Sequence, residues 1–213
     1  SNKQRFRCKE CGRQWVENPS NRVISEDLRK IIDNLLLERI SQRGICRVTG
    51  VSLKWLSSSL KKKSETLQLE VPLVPKKGKI SVECDEIWTS VQNKTHVQWS
   101  WLAIDRLTKM IVGFFLGPRA SQAARSLFFS LPPVYRQGAG CYTDGLASYV
   151  GTLPTTRHKI SRKGSGPTHH LERLHLTLRP RIAPRVRKTL SFANHLRNLR
   201  GRGLNFINHY NQQ

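Results

Sequence analysis

Between residues 79 and 116 the chain sets down three β-patterned runs with no helix between them, and only afterwards do helix and strand alternate. Residues 79–91 are β-branched and alternating, 95–104 are rich in tryptophan, and 110–116 form a short apolar run. The pattern then predicts a helix over 121–131, a short strand over Gly140–Thr143 running into Asp144-Gly145, a helix starting at 146–149, and a last strand over 157–161. Leu171, Leu174 and Leu178 give residues 169–179 helical spacing. Three strands, a helix, then strand, helix, strand and helix restrict residues 79–213 to an α/β layer.

That order is the one of the ribonuclease-H-like, retroviral integrase-type fold. In it Asp85 sits mid-way along the first strand, Asp144 ends the fourth strand beside the first, and Glu172 comes from a helix packed across the same strand edge. Carboxylates distant in sequence would then meet at one point, where like charges repel unless a cation intervenes. Oxygen-only ligands suit magnesium or manganese. Two such ions about 3.5–4 Å apart can activate an attacking oxygen and stabilise a leaving one in phosphoryl transfer. Each residue also has a plainer reading. Asp144-Gly145 is a common turn dipeptide, and Glu172 has Arg173 and Arg179 near it in sequence. On a strand Glu83 and Asp85 share a face while Glu86 points away, which sets Glu86 aside as a ligand. Asp105 reads as a turn or cap residue pairing Arg106. Arg179 follows Glu172 by two helical turns on the same face and could hold a phosphate.

Charge makes these carboxylates conspicuous. From Ala103 to Gln213 the only acids are Asp105, Asp144 and Glu172, and residues 145–213 hold 13 Lys+Arg against one carboxylate. The net charge of +23 is far beyond the magnitude of roughly 2–8 that suits a small soluble domain. Such a surface expects a polyanion, and nucleic acid is the partner it favours. No apolar run approaches the ~18 residues of a membrane span. Five cysteines and no secretory signal pattern argue for a reducing, cytoplasmic setting. Cys46, Cys84 and Cys141 lie in apolar contexts and read as small buried hydrophobes.

Two further segments precede the α/β layer. Residues 1–22 contain Cys8-Lys9-Glu10-Cys11-Gly12, the knuckle spacing of a structural zinc site. Zinc takes about four ligands, so this pair is half a site, with the other half expected upstream of Ser1. Residues 23–63 read as a helix-turn-helix. Ser25 caps a helix carrying Leu28, Ile31, Ile32, Leu35, Leu36 and Ile40. Gly50 then permits a tight turn, Val51 packs inward, Ser52 caps, and Leu53, Leu56 and Leu60 anchor the next helix. Lys54, Ser57, Ser58 and Lys61 would face a DNA groove from it; a plain helical hairpin is the alternative. Residues 64–78, with Pro72, Pro75 and Gly78, read as a linker.

Several strings together resemble the transposases of the insertion-sequence-one family. They are Val82-Glu83-Cys84-Asp85-Glu86-Ile87-Trp88, Ala103-Ile104-Asp105-Arg106, Tyr142-Thr143-Asp144-Gly145 and Glu172-Arg173-Leu174-His175-Leu176-Thr177-Leu178-Arg179. Arg187-Lys188-Thr189-Leu190-Ser191-Phe192, His209-Tyr210-Asn211 and the N-terminal Gln4–Cys11 stretch resemble the family as well. The resemblance implies a DDE transposase with Asp85, Asp144 and Glu172 as magnesium ligands and Arg179 as their basic partner. It implies zinc at the cysteine knuckle, and Arg173, Arg187 and Lys188 beside the helix-turn-helix face as DNA contacts. Its substrates would be double-stranded terminal inverted repeats and target DNA, handled by a homodimer or larger assembly in a bacterial or archaeal cytosol, at the nucleoid. Position 175 is histidine where that family commonly has asparagine. A DNA-binding regulator, or a decayed copy that binds element ends without chemistry, is the competing expectation.

Overall fold

The computed structural model describes residues 4–16, 23–38, 40–72, 79–91, 96–161, 169–182 and 195–213; of residues 169–182, the side chains described are those of Leu171 and 173–178, and Ser90 is described by its backbone. The elements run β1 (Arg5–Arg7), β2 (Gln14–Val16), α1 (Glu26–Leu37), α2 (Gln42–Thr49), α3 (Leu53–Thr66), β3 (Ser81–Ser90), β4 (Val97–Asp105) and β5 (Ile111–Gly117). Then come α4 (Ser121–Ser130), α5 (Pro133–Gly138), β6 (Gly140–Thr143), β7 (His158–Ile160), α6 (His169–Ile182) and α7 (Leu196–Tyr210), with a 3-10 turn at Ala147–Tyr149.

β3 to β7 form one mixed sheet in the order β5-β4-β3-β6-β7. The first three strands make an antiparallel meander, whereas β6 runs parallel to β3 and β7 parallel to β6. Strands that are apolar along most of their length must be covered on both faces, and these are. Leu102, Ile104, Ile111 and Phe114 pack with Leu171, Leu174 and Leu178 of α6 and Leu199, Leu204 and Ile207 of α7. On the other face Val82, Cys84, Trp101, Ala103 and Val112 pack with Ala123, Ala124 and Leu127 of α4, and with Tyr135 and Tyr149. The three strands expected between residues 79 and 116 are all present. Past Asp144 the expected helix is a single 3-10 turn, closed by Gly151 at φ 72° with Tyr149 fully buried.

Two helices escape the sequence pattern. α5 begins on Pro133 at its first turn, where a missing N–H costs nothing. α7 carries Gly201 and Gly203, which ordinarily weaken a helix by up to about 1 kcal/mol each relative to alanine. Here they permit close approach: a Cβ at Gly201 would lie 2.6 Å from the Ser64 Cβ, and one at Gly203 would lie 2.6 Å from the Phe114 ring. α7 thereby wedges between α3 and β5. Asn211, just past its end, accepts from Ile111 N–H at 2.8 Å and donates to Ile111 C=O at 2.9 Å. Its amide thus takes the place of a strand neighbour at the sheet edge.

The N-terminal helices have a core of their own, Ile32, Ile45, Val51 and Leu56. Ser25, Ser41 and Ser52 cap them through bonds from Leu28, Gly44 and Trp55 N–H. α2 stops at Gly50, whose φ of 72° is the left-handed conformation favoured after a helix. The stretch that reads as a linker from residue 64 begins as helix, since α3 runs through Thr66. Leu67 and Leu69 then pack on the sheet core, and Asn208 of α7 bonds Glu70 N–H at 3.0 Å and Gln68 C=O at 2.8 Å. Arg197 adds an ion pair to Glu65 at 2.9 Å. β1 and β2 form an antiparallel hairpin whose turn carries Cys8 and Cys11, with Gly12 at φ 68°. Among the described residues no helix is long and apolar enough to cross a membrane.

Candidate active site

The site is set by where β6 stops. Parallel pairing puts Tyr142 opposite Glu83, so Asp144, two residues on, comes level with Asp85. β6 ends at Thr143, and β3 continues past it; among the described residues no strand pairs with that flank of β3 beyond Glu83. Gly145, at φ 87°, turns the chain away, and the Asp144 carboxylate accepts from Leu146 N–H at 3.1 Å. Thr143 Oγ1 lies 2.9 Å from His158 Nε2, tying the end of β6 to β7. Burial pushes the His158 imidazole below its usual value, which favours the neutral ring there.

At this flank the carboxylates of Asp85, Glu86 and Asp144 come together, with one oxygen of each within 4.8 Å of the others. Asp85 Oδ1 accepts from Glu86 N–H at 2.8 Å, and its other oxygen lies 3.5 Å from His175 Nδ1 on α6. Glu86 reaches the cluster from the opposite face of the sheet. Its side chain is nearly buried, and Oε1 accepts from Arg119 through Nε at 3.0 Å and Nη2 at 2.7 Å. Tyr149 Oη stands 3.5 Å from Oε2. Burial raises the Glu86 carboxyl above its ordinary value; the Arg119 bonds oppose this and the charge of Asp144 adds to it. Burial and the same carboxylates hold the Tyr149 phenol well above its usual range, so it stays a protonated donor. Three oxygen donors around one point, one of them on an exposed residue, suit a hard divalent cation.

Two residues back along β3 the chemistry differs. Glu83 is fully buried, pairs with Arg106 Nε at 3.0 Å and accepts from Leu171 N–H at 3.2 Å. That N–H belongs to the first turn of α6, one of the donors a helix leaves unbonded. Glu83 therefore anchors the start of α6, the helix that carries Glu172. Arg106 also lies over the Tyr142 ring at 4.5 Å. Asp105 accepts from Leu107 and Thr108 N–H at 2.9 and 2.8 Å and so serves the β4–β5 turn, while Arg106 goes to Glu83 instead.

Of the residues named from the sequence, Asp85 and Asp144 are brought together. The backbones of Glu172 and Arg179 lie in α6, and their side chains fall outside the described residues, as do Arg187 and Lys188 entirely. Arg173 is exposed on α6. Lys54, Ser57, Ser58 and Lys61 are exposed along one side of α3. Cys8 is half-exposed and Cys11 exposed; backbone N–H groups of Cys11 and Glu10 directed at the Cys8 sulfur lower its pKa. Sequence reasoning missed Glu86, which strand alternation points away from Asp85, and Arg119 and Tyr149, which lie in a loop and a 3-10 turn outside the strands. The Asp85-Glu86 pair was the available signal for the first of these.

A family model described as IS1 transposase matches residues 79–209, more than half of the 213-residue chain. The chain belongs to the IS1 transposase family. Insertion element iso-IS1n protein InsB of Shigella dysenteriae is 34% identical over 112 residues, covering 52% of this chain and 81% of that protein. Insertion element IS1 4 protein InsB of Escherichia coli strain K12 is 33% identical over 114 residues, 54% of this chain and 65% of its own length. Insertion element IS1 protein InsB of Shigella sonnei is 32% identical over 114 residues, 54% of this chain and 83% of its own. The matched region of this IS1-family chain contains Asp85, Glu86 and Asp144.

Proposed function

We propose that this chain is a DDE-type DNA transposase that cleaves at the ends of an insertion element and joins the freed ends to target DNA. The observation that carries the reading is the meeting, within 4.8 Å, of Asp85 on β3 with Asp144 just past the end of β6, one of only three acids between Ala103 and Gln213. The strand order β5-β4-β3-β6-β7, with an antiparallel meander followed by parallel strands, supports an RNase H-like layer for residues 79–213. Asp85, Asp144 and Glu172 are the ligands of this reading, with Arg179 beside them on α6. Bound there, magnesium or manganese would supply activation of the attacking oxygen and stabilisation of the leaving one. The chain's own part is to hold the carboxylates in place. Asp85 is oriented by Glu86 N–H and faced by His175, and Asp144 is held by Leu146 N–H beyond the end of β6.

Residues 23–63 serve in this reading as a helix-turn-helix that recognises the terminal inverted repeats. Support comes from the Gly50-Val51-Ser52 turn and from Lys54, Ser57, Ser58 and Lys61 on the exposed side of α3. Cys8 and Cys11 supply half of a zinc site on the turn of the β1–β2 hairpin, where directed N–H groups favour a thiolate at Cys8. Arg173, Arg187 and Lys188 add backbone contacts to DNA. The setting is the bacterial or archaeal cytosol, and the working form on DNA is a homodimer or larger, since two ends must be joined together.

The test is an end-labelled duplex carrying the element's terminal repeat, incubated with magnesium and either wild type or Asp144→Asn. Cleavage or joining by the wild type, with Asp144→Asn at least about a thousandfold slower but still binding, is the expected result. Tight binding with no cleavage by wild type would point instead to a regulator or a decayed copy.

A further inference from the structure

We infer that Arg119 is a phosphate-contacting residue of the same site, held ready for the scissile phosphate by Glu86 and Trp99; this rests on the function proposed above. Arg119 lies between β5 and α4, on a loop that the protein fixes tightly. Trp101 Nε1 donates to Pro118 C=O at 3.2 Å, and Ala120 N–H donates to the same carbonyl at 3.0 Å. The guanidinium stacks over the Trp99 ring at 4.5 Å. Nε and Nη2 both go to one oxygen of Glu86, at 3.0 and 2.7 Å, which leaves Nη1 outside that pair.

Burial separates the two partners. The Glu86 side chain is 2% exposed, whereas that of Arg119 is 46% exposed. Here nearly half of the Arg119 side chain is open to solvent, while its partner's carboxylate belongs to the cluster, within 4.8 Å of Asp85 and Asp144 oxygens. Arginine's planar fork suits a phosphate while a second edge is engaged elsewhere, which a lysine ammonium does not match. A cation already oriented by a stack and two hydrogen bonds needs no reorganisation when phosphate arrives, and that is where electrostatic catalysis gains most. Glu86 and Trp99 are then positioning residues, acting through Arg119.

The experiment uses the full chain and the terminal-repeat duplex in two forms, one natural and one with an uncharged methylphosphonate at the cleaved position. Binding is measured with calcium in place of magnesium, and single-turnover cleavage of the natural duplex with magnesium. Arg119→Gln keeps a donor toward Glu86 without the charge, and Arg119→Lys keeps the charge without the fork. Wild type should bind the methylphosphonate duplex about tenfold more weakly than the natural one, and Arg119→Gln should bind both alike. Cleavage by Arg119→Gln should fall by about a hundredfold or more, with partial recovery in Arg119→Lys. If wild type cleaves and discriminates, and Arg119→Gln discriminates equally, the inference is overturned while the proposed function stands. A wild type that neither cleaves nor discriminates overturns both.

Discussion

Glu83 and Asp85 lie two residues apart on one strand and on one face of it, yet they meet different fates. Glu83 is enclosed, with Arg106 on one oxygen and the Leu171 N–H on the other. Asp85 stands beyond the last residue of β6, beside a second carboxylate from its own strand and a third from the residue that follows β6. The first is paired with an arginine and a helix N–H, whereas the second, bonded to Glu86 N–H and faced by His175, is gathered with two other carboxylates. In the proposed reading, the buried acid with protein partners is architecture, and the acids gathered past the end of β6 are a place for a cation.

Substitutions should separate the two. Asp85→Asn should lower magnesium-dependent cleavage by about a thousandfold or more with little change in melting temperature, read by single-turnover assay and calorimetry. Glu83→Ala should do the reverse in kind. Leaving Leu171 N–H and Arg106 without their acceptor should cost about 1–3 kcal/mol in urea unfolding, and Glu83→Gln should recover part of this through the retained acceptor. A Glu83→Ala protein that is fully stable but inactive would break the distinction. The smallest effect concerns Glu86, whose carboxyl the fold holds above its ordinary value, chiefly through burial. The folded chain keeps that proton to higher pH than the unfolded chain. Its contribution is therefore fully present below the ordinary glutamate value and is lost as pH rises through the folded one. Unfolding measured across that window in chelator should show a negative slope in wild type that is flatter in Glu86→Gln.

The strands from 79 to 116 were legible because burial on a sheet leaves its mark on every residue, as alternation in β3 and as continuous apolar runs in β4 and β5. The place of Asp85 and Asp144 followed from strand order alone. Glu86 was not legible, because alternation assigns a face but does not know where the neighbouring strand ends. Once β6 stops at Thr143, side chains from both faces of β3 can reach round the same flank. α7 was hidden for a different reason: Gly201 and Gly203 look like helix breakers until Ser64 and Phe114 are seen against them. The helical unit read over residues 23–63 showed itself through Ser25, Ser52 and Gly50, which are local signals that need no tertiary context.

The most direct measurement is a manganese titration of the full chain followed by electron paramagnetic resonance, in which bound ion disappears from the free-ion signal. Wild type and Glu83→Gln should deplete that signal alike, and Asp85→Asn and Asp144→Asn should lose the depletion. Equal depletion by Asp144→Asn and wild type would place the ion elsewhere and contradict the reading of this flank as the metal-holding centre.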